Sequence, residues 1–356
     1  MDRLKSIQGL RALAFLEVFL AHCGLSPFQG VLGVSLFMLM SGFCMALNYL
    51  PRVEAMPVTP AGCARFALDK VKKLYVLHVV MTLCAMLIRG VSATPSGLAR
   101  LLINILLLQS LFPFSDVYFA YNGISWYLSC YMLVCLLAPG IIRLASRIVR
   151  GAESVVKARV FALMALCLGI MAGIGYAASV CPILIGDDFA KWLTYICPAY
   201  RLLDFAFGVL LGALYVRCRG RDKLSAPGGL ALLVGAAVAA LAYLRLEVFS
   251  PAGFKYNLMM LPVAALMLLC AVHSGGAIGR AVSGRLITRL GDMSSCAFLI
   301  HQIVIQSVRM LMARYGVGQG AVGALALFCV SFALTLAVTQ LYILLDGCLR
   351  RRTRKA

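Results

Sequence analysis

The chain has 356 residues, 62% of them hydrophobic and only 13% charged, with 33 Lys and Arg against 13 Asp and Glu for a net charge of +20. A water-soluble domain carries about 25% charged and 45–50% apolar residues, so this apolar excess is more than a soluble core can hide, and disorder, collagen-like fibres and secreted disulfide scaffolds are excluded with it. Nucleic-acid binding is excluded by position: the basic residues stand in short clusters at the ends of apolar runs, where they orient membrane helices.

A membrane span needs about 20 mostly apolar residues at 1.5 Å rise each. That rule predicts an all-α, polytopic bundle of about ten spans, one integral domain over 1–356, at 8–25, 31–50, 74–92, 125–142, 158–180, 191–216, 226–246, 255–274, 295–314 and 321–346. The basic clusters at 52–73, 143–157, 217–223, 280–289 and 350–355 then share one side, which puts both termini in the cytoplasm. A further apolar stretch at 98–114 (LARLLINILLLQSLFPF) would invert everything after it by crossing. A re-entrant segment near 97–121 is therefore expected, sheltered at the wall of a site. No cleavable signal peptide is expected, since Arg11, Glu17 and His22 interrupt the first apolar run. The 14 Cys include no CxxC pair and no metal-ligand spacing, so they read as small packing residues and no metal is expected.

Charge inside a bilayer costs about 2.5–3.5 kcal/mol per residue, so ionisable side chains within spans mark functional sites. Arg11 and His22 lie 11 positions apart, or 20° past three full turns. They project from one face about 16 Å apart and are expected to line a single corridor. His22 is the candidate general base, the alternative being a core histidine bonded to neighbouring helices. Glu17 faces elsewhere and is expected to pair with a basic residue on another helix. Arg201 and Asp204, at i and i+3, read either as a neutralised helix pair or as a polar cavity wall. His301 and Arg309 lie 80° apart on the ninth span, where one cavity could see both. His78 and His273 read as packing or interface residues.

Six segments, in order, resemble one known family. QGLRALAFLEVFLAHCG is similar to the opening of the acyltransferase-3 family of integral membrane acyltransferases, a basic residue, ten positions and a His, here Arg11 and His22. GVSLFMLMSGFCMAL resembles its Gly-Val-x-x-Phe-Phe-x-x-Ser-Gly-Phe segment through Gly33, Val34, Phe37, Ser41, Gly42 and Phe43. DKVKKLYVL resembles Arg-x-x-Arg-x-Tyr-Pro through Lys70, Lys73 and Tyr75, and SWYLSCYMLVCLLAP resembles Trp-x-Leu-Ser with a later Pro, on Trp126, Leu128, Ser129 and Pro139. YRLLDFAFGVLLG carries Arg201, Asp204, Phe205 and Gly208 of Arg-x-x-acidic-Phe-x-x-Gly, and LGDMSSCAFLIHQ carries Ser294, Phe298, Leu299 and His301 of Ser-Tyr-x-x-Tyr-Leu-x-His. The chain departs from the pattern in having Lys at 70 and 73, Val76 for Pro, Ser295 and Phe298 for Tyr, and Cys130 and Tyr131 where many members have an acidic residue.

The resemblance implies a transferase of the inner (cytoplasmic) membrane that moves an acyl group, most often acetyl, from cytoplasmic acetyl-CoA or another acyl-CoA to a hydroxyl. For many members the acceptor is a surface polysaccharide or its lipid-linked precursor. A CoA donor carries phosphates that need cations, and Arg65, Lys70, Lys72 and Lys73 gather with Arg11 at the predicted inner face. Direct attack assisted by His22 is expected, with Ser41, Trp126, Ser129, Arg201, Asp204 and His301 around the substrates; a covalent acyl-enzyme through Ser41 or Ser129 is the alternative. The rivals from other classes are a transporter or flippase, for which buried polar residues and a broken helix are equally suitable, and a catalytically silent membrane scaffold.

Overall fold

The computed structural model describes residues 5–90, 94–180, 186–218, 235, 260–273, 280–316 and 320–353, and these are helical or connecting, with no strand among them. In chain order the α-helices are α1 (Lys5–His22), α2 (Val31–Tyr49), α3 (Pro60–Arg89), α4 (Pro95–Ile105), α5 (Ser115–Tyr118), α6 (Trp126–Ile148), α7 (Glu153–Val180), α8 (Asp187–Lys191), α9 (Pro198–Arg217), α10 (Met260–His273), α11 (Arg285–Arg314) and α12 (Gly320–Thr353). Among the described residues, seven segments, carried by α2, α3, α6, α7, α8–α9, α11 and α12, are long and apolar enough to cross a membrane. Each answers to one expected span. The 18 residues of α1 carry Lys5, Arg11 and Glu17, a charge density that a purely apolar span would not tolerate. Apart from residue 235, the expected span 226–246 lies outside the described residues, as does the start of 255–274.

Helix α3 differs from its expected start at residue 74. It begins at Pro60, where Thr59 caps the N-terminus by accepting from the Gly62 amide, so Arg65, Lys70, Lys72 and Lys73 are helical and not in a loop. On that helix Lys70 and Lys73 share a face, while Lys72 turns to Asp69 at 2.6 Å on the exposed side.

Helices α1 and α2 form the centre. They pack on each other; α1 also packs on α11 and α10, and α2 on α9 and α10, with α3 lying against α6 and α11. Small residues set the closest crossings, as membrane packing requires. A Cβ on Gly42 would stand 2.1 Å from the Phe205 carbonyl oxygen, and one on Gly208 2.1 Å from that of Leu39, so α2 and α9 touch backbone to backbone. Glu17 is corrected by the structure: in place of a basic partner it takes the N-terminus of α2. That helix starts after Gly30 with no side-chain cap of its own. The Glu17 carboxylate supplies the anion, accepting from the amides of Gly30 (3.0 Å) and Gly33 (2.8 Å) and from Ser26 Oγ (2.8 Å).

Between α3 and α6 the chain folds back on itself. Helix α4 has 11 residues, rising about 16 Å, roughly half a hydrocarbon core. Buried side chains satisfy the irregular backbone after it. Tyr75 donates to Ile105 O (3.1 Å), His78 Nε2 to Asn104 O (3.0 Å) and Ser129 Oγ to Leu107 O (2.7 Å); the Ser110 amide donates to Ser129 Oγ (3.2 Å), and Trp192 Nε1 to Ser110 O (2.9 Å). Leu107 is held at φ 56°, a left-handed conformation rare for a branched residue, by that Ser129 bond and by burial. Asn122 Nδ2 donates to Leu299 O at 2.8 Å, which fastens the returning segment to α11.

Candidate active site

Two cavities lie along α1. The first, of about 730 Å³, is lined by Arg11, Ser41, Tyr49, Lys70, Lys73, Asp292, Ser295 and Asp346 among others. Arg11 donates through Nη2 to Ser295 Oγ. Lys70 Nζ donates to the Tyr49 hydroxyl and lies 4.4 Å from the Tyr49 ring centroid and 4.6 Å from that of Phe66. Three cations face two carboxylates, which leaves this wall basic overall.

The second cavity, of about 420 Å³, is lined by His22, Gln29, Phe119, Trp126, Lys191, Tyr195 and Gln302 among others. His22 ends α1, and its Nδ1 lies 2.8 Å from the Val18 carbonyl oxygen. A carbonyl only accepts, so Nδ1 carries the hydrogen and Nε2 keeps its lone pair. The same reasoning puts a hydrogen on His301 Nδ1, which lies 2.7 Å from Phe298 O, and leaves its Nε2 as an acceptor 3.5 Å from His22 Nδ1. Arg309 Nη2 donates to the His22 carbonyl at 2.7 Å, supplying the cation that the end of α1 favours.

The single corridor expected from the shared face of α1 is thus divided. Arg11 lines one cavity and His22 the other, and the two have one lining residue in common, Phe298 of α11. Helix α11 packs along α1 and places this ring between them.

The other expected site residues are distributed unevenly. Ser41 lines the first cavity with its hydroxyl bonded to Phe37 O at 2.7 Å, and Trp126 lines the second. Ser129 and His301 line neither of these two cavities: both are fully buried, Ser129 bracing the returning segment and His301 standing behind His22. Arg201 and Asp204 are also fully buried, paired at 2.8 Å, the neutralised-pair alternative. Their connection to the second cavity runs through Tyr195, whose carbonyl accepts from Arg201 Nε (2.7 Å) and whose ring centroid lies 4.7 Å from the guanidinium carbon. Arg65 is exposed on α3, away from both cavities. Sequence reasoning missed Asp292, Asp346, Tyr127 and Gln302. A signal existed in α11: Asp292, Ser295 and Leu299 recur at i, i+3 and i+7 on one row, and Phe298 and Gln302 at i and i+4 on the next.

A cationic cavity beside an anchored imidazole suits group transfer. Residues 4–344 match the model of a family described as an acyltransferase domain, and the chain belongs to the acyltransferase-3 family. It is similar to Acyltransferase MdmB of Streptomyces mycarofaciens, with 27% identity over 383 residues that span 99% of this chain and 93% of that protein. No solved structure matches significantly. The protein is an acyltransferase transferring groups other than amino-acyl groups.

Proposed function

We propose that this protein is a multi-pass O-acyltransferase of the inner membrane that carries an acyl group, acetyl before others, from cytoplasmic acyl-CoA to a hydroxyl of a cell-surface glycan or its lipid-linked precursor. The observation that carries the reading is the abutment of the two cavities. The donor's phosphates and adenosine would lie against Arg11, Lys70 and Lys73, where desolvated guanidinium and ammonium groups bind phosphate strongly. The acceptor would lie against the aromatic and amide wall of Trp126, Tyr195, Phe119 and Gln302, a surface suited to sugar faces and hydroxyls.

The reaction then runs in one displacement. His22 Nε2 takes the proton of the acceptor hydroxyl as its oxygen attacks the thioester carbonyl; the C–O bond forms, the C–S bond breaks, and the coenzyme thiolate recovers the proton from the imidazolium. While charged, that imidazolium presents its Nδ1 hydrogen to Val18 O and His301 Nε2, two acceptors that favour it. Base assistance of this kind is worth about 10²–10⁴ in rate. Neither Ser41 nor Ser129 has a base beside it: each donates to a backbone carbonyl, which supports direct attack over an acyl-enzyme.

Substituting His22→Ala is expected to abolish the new ester on surface glycan, read by mass spectrometry of polysaccharide from cells with and without the protein, at unchanged membrane abundance. Full ester formation by that variant refutes the reading.

A further inference from the structure

The ring of Phe298 is the part of the wall that faces both cavities, and it does not stand alone. Its centroid lies 5.7 Å from that of Phe37 at 73° and 5.5 Å from that of Tyr127 at 61°, both edge-on, so three aromatic rings from α11, α2 and α6 interlock. Phe298 is 7% exposed and lines both cavities. Its position is fixed from the backbone as well, because Phe298 O holds His301 Nδ1. On the first-cavity side the next residues are Ser295, which holds Arg11, and Leu299; on the second-cavity side they are His22 and Gln302.

We propose that Phe298, locked against Phe37 and Tyr127, sets the length of acyl chain the enzyme transfers and restricts it to short acyl groups. The inference rests on the reading that the donor lies on the Arg11 side and reacts at His22. A thioester presented from the first cavity must bring its carbonyl carbon to the boundary between the cavities. Everything beyond that carbon, the alkyl tail, has to fit beside the three rings. A methyl tail needs little room there. Each added methylene must displace part of a ring that is itself wedged between two others. Closely packed aromatic walls move as units and do not deform gradually, so the limit is expected to be sharp.

The test uses the full-length enzyme in native membranes with acetyl-, propionyl-, butyryl- and hexanoyl-CoA as donors. Relative kcat/KM along the series is read for the native chain, Phe298→Ala and Phe298→Leu. Because one methylene in an apolar pocket changes selectivity by about 10–200-fold, Phe298→Ala is expected to raise the butyryl-to-acetyl ratio at least about tenfold, with Phe298→Leu in between. Phe37→Ala, on a different helix, should shift the ratio in the same direction and serves if Phe298→Ala fails to accumulate. An unchanged ratio in folded variants whose transfer still requires His22 overturns the proposal. Transfer that persists in His22→Ala, or no transfer from any acyl-CoA by the native chain, overturns instead the reading beneath it.

Discussion

At the scale of single residues, the site is organised by which nitrogen carries which proton. Val18 O fixes a hydrogen on His22 Nδ1, Phe298 O fixes one on His301 Nδ1, and the remaining lone pair of His301 faces His22. In the proposed mechanism His301 would act through His22, as a positioning residue. Accordingly His301→Ala is expected to lower kcat while leaving KM for donor and acceptor unchanged, and His301→Gln, which can offer a carbonyl acceptor, should recover part of the loss. Equal activity in all three forms, measured with purified enzyme, removes the role. Arg11 and His22 were legible in the sequence because charge is costly in an apolar run and the spacing of 11 is simple helical arithmetic. The partnership of His22 with His301 was not, since 279 residues separate them and periodicity within one helix says nothing about what crosses it. Glu17 escaped for a similar reason: an acidic residue in a span suggests a basic partner, whereas the partner is a set of backbone amides that sequence does not display.

At the scale of elements, two family segments that look unrelated along the chain explain each other in space. Gly42 and Gly208 are the contact of α2 with α9, each lying against the other helix's backbone. A side chain there forces the helices apart, and overpacking of this kind costs about 1–3 kcal/mol. Gly208→Leu is therefore expected to lower the thermal stability of the detergent-solubilised protein, whereas Gly140→Leu on α6, where nothing lies within 4 Å, should leave it near native. Similar melting of both variants contradicts the seam. That the chain folds back near 97–121 was readable from the clash between its apolar length and the placement of basic clusters, a global constraint stronger than local hydropathy. The early start of α3 was hidden by that same hydropathy, because 60–73 is polar. The Thr-Pro pair at its head was the overlooked mark.

At the scale of the molecule, burial is uneven in a way that suits a bilayer. The outer faces of α3, α7 and α12 leave Leu87, Phe161, Tyr176, Val322 and Leu344 exposed, while α1 and α2 are enclosed by protein. Apolar exposure on peripheral helices and polar side chains inside are what lipid as solvent demands. On the orientation expected from the basic clusters, the first cavity would open, through Lys70 and Lys73, to the cytoplasmic side. Membrane-impermeant acyl-CoA is then expected to support transfer when added to inside-out vesicles and not to sealed right-side-out vesicles. The opposite result reverses the orientation and with it the donor's entrance.

The fold-back segment also has a history written into its bonds. Tyr75 and His78, which hold Ile105 and Asn104, precede it in the chain, but Ser125, Ser129 and Trp192, which hold Gln109, Leu107 and Ser110, all follow. As the chain leaves the ribosome, two of these anchors exist before the hairpin and three do not. The carbonyls of Leu107 and Ser110 must wait in water, or in the insertion machinery, for donors still to be translated, so this part of the protein cannot be threaded strictly from the first residue to the last.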